Sequence, residues 1–183
     1  MKKLLKMAGI LIGCLCLLTG CGDEAQKEPS DPTINVQLDY KVEPAGIHQY
    51  KISGTTNLPD GTELMVSLDN RQIIGAKYGV SEDTRGDQLP DDLLLKIAGE
   101  SFASSEKPAV KNGKFECLLH GDNLLPGEYD LSFTVPIWRV MKNEDVKKRL
   151  GEGNKNLAGE HVEDSGMEGE GKVYRNKTRI KLD

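Results

Sequence analysis

From Thr33 onward the chain alternates apolar and polar residues in short runs, the period of strands that bury one face. Ile34, Val36, Leu38 and Tyr40 share one face, with Asn35, Gln37 and Asp39 on the other. A second extended run lies near Gln49–Ser53, and Leu64, Val66 and Leu68 form another strand face. Ile73, Ile74 and Tyr78 suggest a further strand, whereas the short apolar run Leu93–Ala98 fits either a strand or a helical turn. Between these runs stand turn formers. Pro59-Asp60-Gly61 combines a fixed φ with a residue that accepts positive φ. Asn112-Gly113 is the favoured pair for a tight hairpin, here joining Pro108–Val110 to Gly113–Leu118. The clearest strand is Tyr129, Leu131, Phe133 and Val135, all pointing one way. Val173–Leu182 alternates again, with Tyr174, Thr178, Ile180 and Leu182 on one face. Arg175, Lys177 and Arg179 on the other are suited to blunting a sheet edge. One short helix is predicted near Glu144–Leu150. Asn143 can cap it, acids suit its start, Lys147, Lys148 and Arg149 suit its end, and Gly151 can close it.

Ahead of this region the pattern is different. Lys2, Lys3 and Lys6 precede an apolar run from Met7 to Leu18, closed by Thr19-Gly20-Cys21. A basic start, a short apolar stretch and small residues at a cleavage point describe an export signal. The apolar run is too short for a bilayer span, which needs about 20 residues. Leu18-Thr19-Gly20-Cys21 resembles the lipobox of bacterial lipoproteins. That resemblance implies removal of residues 1–20, a diacylglyceryl group on the Cys21 sulfur, and attachment to the extracytoplasmic face of the cell membrane. Two acyl chains hold a protein stably where one does not. Residues 21–32, polar, acidic and closed by Pro29 and Pro32, are expected to be a disordered tether.

Residues 33–183 suffice for one domain with its own core. About seven to nine short strands with turns between them argue for a mainly β fold. Leu125-Pro126-Gly127-Glu128-Tyr129 resembles the corner leading into a late strand of immunoglobulin-like domains, in which a tyrosine hydroxyl bonds back to nearby backbone. The expected fold is therefore an immunoglobulin-like antiparallel β-sandwich with one short helix. Together with Gly54–Thr62 and Gly151–Gly159, that run resembles small exported bacterial domains of no assigned activity. The resemblance covers roughly residues 50–182 and implies no catalytic residues.

Charge narrows the partners. The net charge of −5 becomes −8 once Lys2, Lys3 and Lys6 leave with the signal, which argues against nucleic acid. Loss of Cys14 and Cys16 and acylation of Cys21 leave Cys117 alone, so no internal disulfide is expected. Phe115, Cys117 and Leu119 share a strand face, which favours a packed thiol over a nucleophile. His48, His120 and His161 have no companions at metal-ligand spacing, so no metal or other cofactor is expected. The acidic loop over 82–92 lacks a regular calcium ladder, and Glu160–Asp164 matches no metal motif. Arg85-Gly86-Asp87 spells an adhesion tripeptide too short to carry weight. No nucleophile elbow, P-loop or dinucleotide fingerprint is present, and no catalytic residues are assigned. Trp138, the one tryptophan, fits either packing or a contact with a partner.

These features point to a lipid-anchored binding or scaffolding module of the cell envelope, not an enzyme. Its partner would be another envelope protein or an extracellular ligand. An envelope hydrolase or metal-dependent enzyme with a site assembled in space is the alternative, and a purely structural spacer is the third reading.

Overall fold

A computed structural model describes residues 32–81 and 83–183. The expected signal over 1–20, Cys21 with its expected lipid, and the expected tether as far as residue 31 lie outside the described residues, as does Glu82 of the acidic loop. The fold is mainly β. Its strands are β1 (Ile34–Asn35), β2 (Leu38–Gly46), β3 (Gln49–Thr56), β4 (Met65–Asp69), β5 (Ala103–Glu106), β6 (Lys114–His120), β7 (Gly127–Val135), β8 (Leu157–Ala158), β9 (Val162–Asp164) and β10 (Lys172–Leu182). Among the described residues these form three sheets: β2-β3-β6, β5-β4-β7-β10-β9, and the parallel pair β1-β8. The two larger sheets are antiparallel and face each other across one core.

Strand alternation builds that core. Ile52 and Phe115 point inward from the three-stranded sheet, and Val66, Leu68, Leu131 and Phe133 from the five-stranded one. The Phe133 ring joins the layers, its centroid 4.8 Å from that of Tyr40 and 5.8 Å from that of Phe115. Each such side chain contributes roughly 1.5–3 kcal/mol through burial. Gly54 makes room for them. It pairs with Tyr40 on one side and Phe115 on the other, and a Cβ there would lie 2.0 Å from the Asp39 carbonyl oxygen and 2.7 Å from the Phe115 ring.

The alternating run that opens the domain is shared between two sheets, since β1 pairs with β8 while β2 pairs with β3. The corner before β7 forms as expected. The Tyr129 hydroxyl donates to the Leu125 carbonyl at 2.8 Å and accepts the Leu125 N–H at 3.2 Å. Asn112 and Gly113 both take positive φ, 51° and 70°, between Lys111 and Lys114. Pro108–Val110 makes only isolated bridge contacts and no regular strand.

The helical content departs from the sequence reading. Among the described residues there are three α-helices: α1 (Arg71–Lys77), α2 (Asp91–Glu100) and α3 (Glu144–Leu150). Ile73 and Ile74, expected in a strand, belong to α1, and Tyr78 caps its end. The Asp69 carboxylate receives the Arg71 N–H and fixes the turn at that start. Asn70, buried, accepts the Phe102 N–H at 2.7 Å through its side chain. Ile74 of α1 and Ile97 of α2 are both buried, so tertiary contact overrides the strand preference of paired isoleucines. The ambiguous run Leu93–Ala98 is helical, begun by Pro90 with Asp91 and Asp92 in its first turn. Only α3 was expected, and the Asn143 side chain caps it by accepting the N–H groups of Asp145 and Val146.

β10 is not a simple edge. β7 pairs with it from Tyr174 to Leu182, and β9 flanks its first three residues. Lys177 and Arg179 both reach Asp130 on β7, at 2.9 and 3.1 Å. Burial acts to raise the Asp130 carboxyl, but these two cations outweigh it and hold the group below the usual carboxylate range.

Candidate functional site

The outer face of β2-β3-β6 carries the residues that alternation turns away from the core. Register places Lys41, Ser53 and Glu116 side by side across the three strands, with Asp39, Thr55 and Lys114 in the next row. A cleft of about 730 Å³ spans this face, within the range of small-ligand sites. Lys111 and Ala109 extend it beyond the sheet.

Two of its lysines are already tied. Lys41 meets Glu43 at 2.8 Å, which holds that carboxyl below its ordinary range. Lys51 meets Glu116 at 2.8 Å, and the carboxylate raises the lysine. Lys111 and Lys114 carry no ion pair among the described residues. Their backbones exchange bonds at 2.8 and 3.0 Å across the Asn112-Gly113 turn. That turn is itself anchored, since the Asp60 carboxylate accepts the N–H groups of Asn112 and Gly113 at 2.9 and 3.1 Å. The same two bonds lower the Asp60 carboxyl. Four lysines and two acids line the cleft, with Glu43 paired to Lys41 beside it, so a small excess of positive charge gathers here on an acidic protein.

Ser53 lies in the floor. It is 8% exposed, and its hydroxyl oxygen is sealed with no hydrogen-bond partner among the described residues. A buried hydroxyl without a partner costs free energy, which makes its position informative.

The residues singled out in the sequence lie elsewhere. Trp138 follows β7 in a short helical turn and is half-buried against α3. Its indole N–H donates to the Lys147 carbonyl at 3.2 Å, and the Lys147 ammonium stands 4.3 Å from its ring centroid. It does not line the cleft. Cys117 faces the core, half-buried. Burial, reinforced by Glu106 and Glu116, pushes its thiol up to about 12, the opposite of what a nucleophile needs. The histidines are not brought together. His48 contacts the Leu124 carbonyl at 2.8 Å through Nδ1, His161 stacks edge-on to Tyr174, and His120 ends β6. Among the described residues no three His, Cys, Asp or Glu side chains are placed to hold a metal ion. In the acidic loop Arg85 and Asp87 pair with each other at 2.9 Å.

A smaller cleft of about 440 Å³ lies between α1, the end of α2 and the corner at Leu125–Tyr129. Its mixed rim includes Lys77, Glu100 and Glu128, with no clear charge preference.

Sequence reasoning missed the sheet-face cleft. Its residues come from 39–41, 51–55 and 109–116, and nothing short of strand pairing shows that these segments are neighbours. The usable signal was the outward polar set of each strand, in particular Lys51-Ile52-Ser53 and Lys114-Phe115-Glu116. No protein-family model matches this chain, and a search of curated proteins found no match.

Proposed function

We propose that this chain is a bacterial surface lipoprotein whose domain is a non-catalytic binding module held at the membrane by lipid on Cys21. The lipobox run Leu18–Cys21 and the basic, apolar segment before it support the anchor. The packed antiparallel sheets and the Tyr129 corner support an immunoglobulin-like sandwich as the finer description. The observation that carries the binding role is the cleft on the outer face of β2-β3-β6. It is broad, lined by charged and hydroxyl side chains, and built on strands, which place a recognition surface more rigidly than loops do.

Trp138 is the earlier candidate for a partner contact. Its satisfied indole N–H and its place against α3 favour packing. The test compares crosslinked partners recovered from intact cells for wild type, Thr55→Trp and Trp138→Ala. Thr55 is exposed in the cleft, so tryptophan there blocks it whatever the ligand's charge. Loss of partner with Thr55→Trp and retention with Trp138→Ala is the expected pattern. The reverse pattern would move the binding surface to Trp138.

A further inference from the structure

Resting on the binding reading above, we infer that the cleft takes a multiply charged phosphoryl ligand. Three features converge on this chemistry. Lys111 and Lys114 stand on the rim with no ion pair among the described residues, held by the turn that Asp60 anchors. They can meet an anion without breaking any existing pair. Lys41 and Lys51 stand on the neighbouring strands, paired with Glu43 and Glu116, and offer further ammonium donors to an anion already held by Lys111 and Lys114. Ser53, over nine-tenths buried and lacking a partner among the described residues, holds a hydroxyl in the floor that movement of the flanking Lys41 and Glu116 side chains opens to a ligand.

The donors are compatible with phosphate. Lysine is a point donor that binds phosphate without a fixed planar geometry. Among the described residues only lysines supply cations to this cleft. A tetrahedral phosphoryl group spreads its oxygens in several directions, so one group can meet ammonium groups from different strands and a hydroxyl below. Neighbouring strands lie about 4.8 Å apart, so a three-stranded floor is wider than one phosphoryl group reaches. A ligand that spans the whole floor therefore carries more than one such group. A soluble polyphosphate-like molecule and a lipid headgroup that carries more than one phosphate share this chemistry.

Calorimetric titration of the full chain in neutral detergent with sodium tripolyphosphate tests the inference. Vesicles containing cardiolipin, whose headgroup carries two phosphates, read by co-sedimentation of the Cys21→Ser chain, separate the lipid source from the soluble one. Saturable binding of either probe is expected, weakened by salt. Lys111→Gln and Lys114→Gln should each weaken it about fivefold. Ser53→Ala should weaken it further, and Lys148→Gln, on the far end of α3, should leave it unchanged. Absence of binding to both probes would overturn the inference, as would affinity indifferent to the cleft variants or equally tight binding of citrate. If phosphoryl binding fails while Thr55→Trp still abolishes partner recovery, the cleft remains the binding surface with another ligand class. If both fail, the binding reading falls with it.

Discussion

Replacing Ser53 by alanine should make the protein more stable, the opposite of what most buried substitutions do. The hydroxyl oxygen is sealed from solvent and has no partner among the described residues, so folding strips it of water without return. An unsatisfied buried hydroxyl costs roughly 1–3 kcal/mol. The lower end applies at the floor of an open cleft, where small movements of the flanking Lys41 and Glu116 side chains admit water. Alanine keeps the Cβ and opens only the space of one oxygen. A gain of about 1 kcal/mol follows, or about 3 °C in Tm for a domain of this size. Urea unfolding followed by circular dichroism measures it, with a higher midpoint and unchanged slope as the expected signature. A loss of 1 kcal/mol or more would show that the hydroxyl is bonded in solution, and its use as a ligand group would fail with that result. Together with weaker phosphoryl binding, the gain would identify a residue retained for function at the expense of stability.

Three further outcomes follow from the packing and the ion pairs. Asp130→Asn should cost about 1 kcal/mol at neutral pH, a low figure because Lys177 and Arg179 are half exposed and Asp69 lies opposite. The Asp130 carboxyl is held below its ordinary value, so its contribution is complete above about pH 4 and fades as pH falls through the folded-state value. Denaturation midpoints of the two proteins should differ at pH 7 and converge in acid; a gap that widens in acid would refute the assignment. Cys117 should resist alkylation at pH 8 in the folded protein, since a thiol pushed up to about 12 holds over a thousandfold less thiolate than a free one. Mass spectrometry of its peptide should show rapid labelling only in denaturant, and fast labelling of the native fold would contradict a core-facing thiol. Gly54→Ala should cost about 3 kcal/mol or more, because the new methyl meets the Asp39 carbonyl and the Phe115 ring. Recovery of folded protein with a near wild-type midpoint would refute the close approach of β2, β3 and β6.

The sequence was most legible where local chemistry and tertiary packing agree. Tyr129, Leu131, Phe133 and Val135 alternate in sequence and all point into the core. The Tyr129 corner, the Asn112-Gly113 turn and the Asn143 cap each depend on residues within a few positions, so their chemistry is written locally. Helix α1 was not legible from Ile73 and Ile74, because its stability comes from α2, about 20 residues downstream, and from Asn70 holding the Phe102 backbone. α2 carried a readable start in Pro90-Asp91-Asp92, which a short apolar run obscured. The cleft was least legible of all. Alternation says that Lys51 and Ser53 face outward, but only strand order brings Lys41 and Glu116 beside Ser53. Nor does any local pattern distinguish an exposed serine from one sealed without a partner.

A binding domain kept at the cell surface requires an acyl group on one sulfur, and intact-mass spectrometry of the protein extracted from native membranes reads that directly. A chain beginning at Cys21 with added diacylglyceryl mass is the expected result. A chain beginning at Met1, or one whose Cys21 thiol is unmodified, would contradict it.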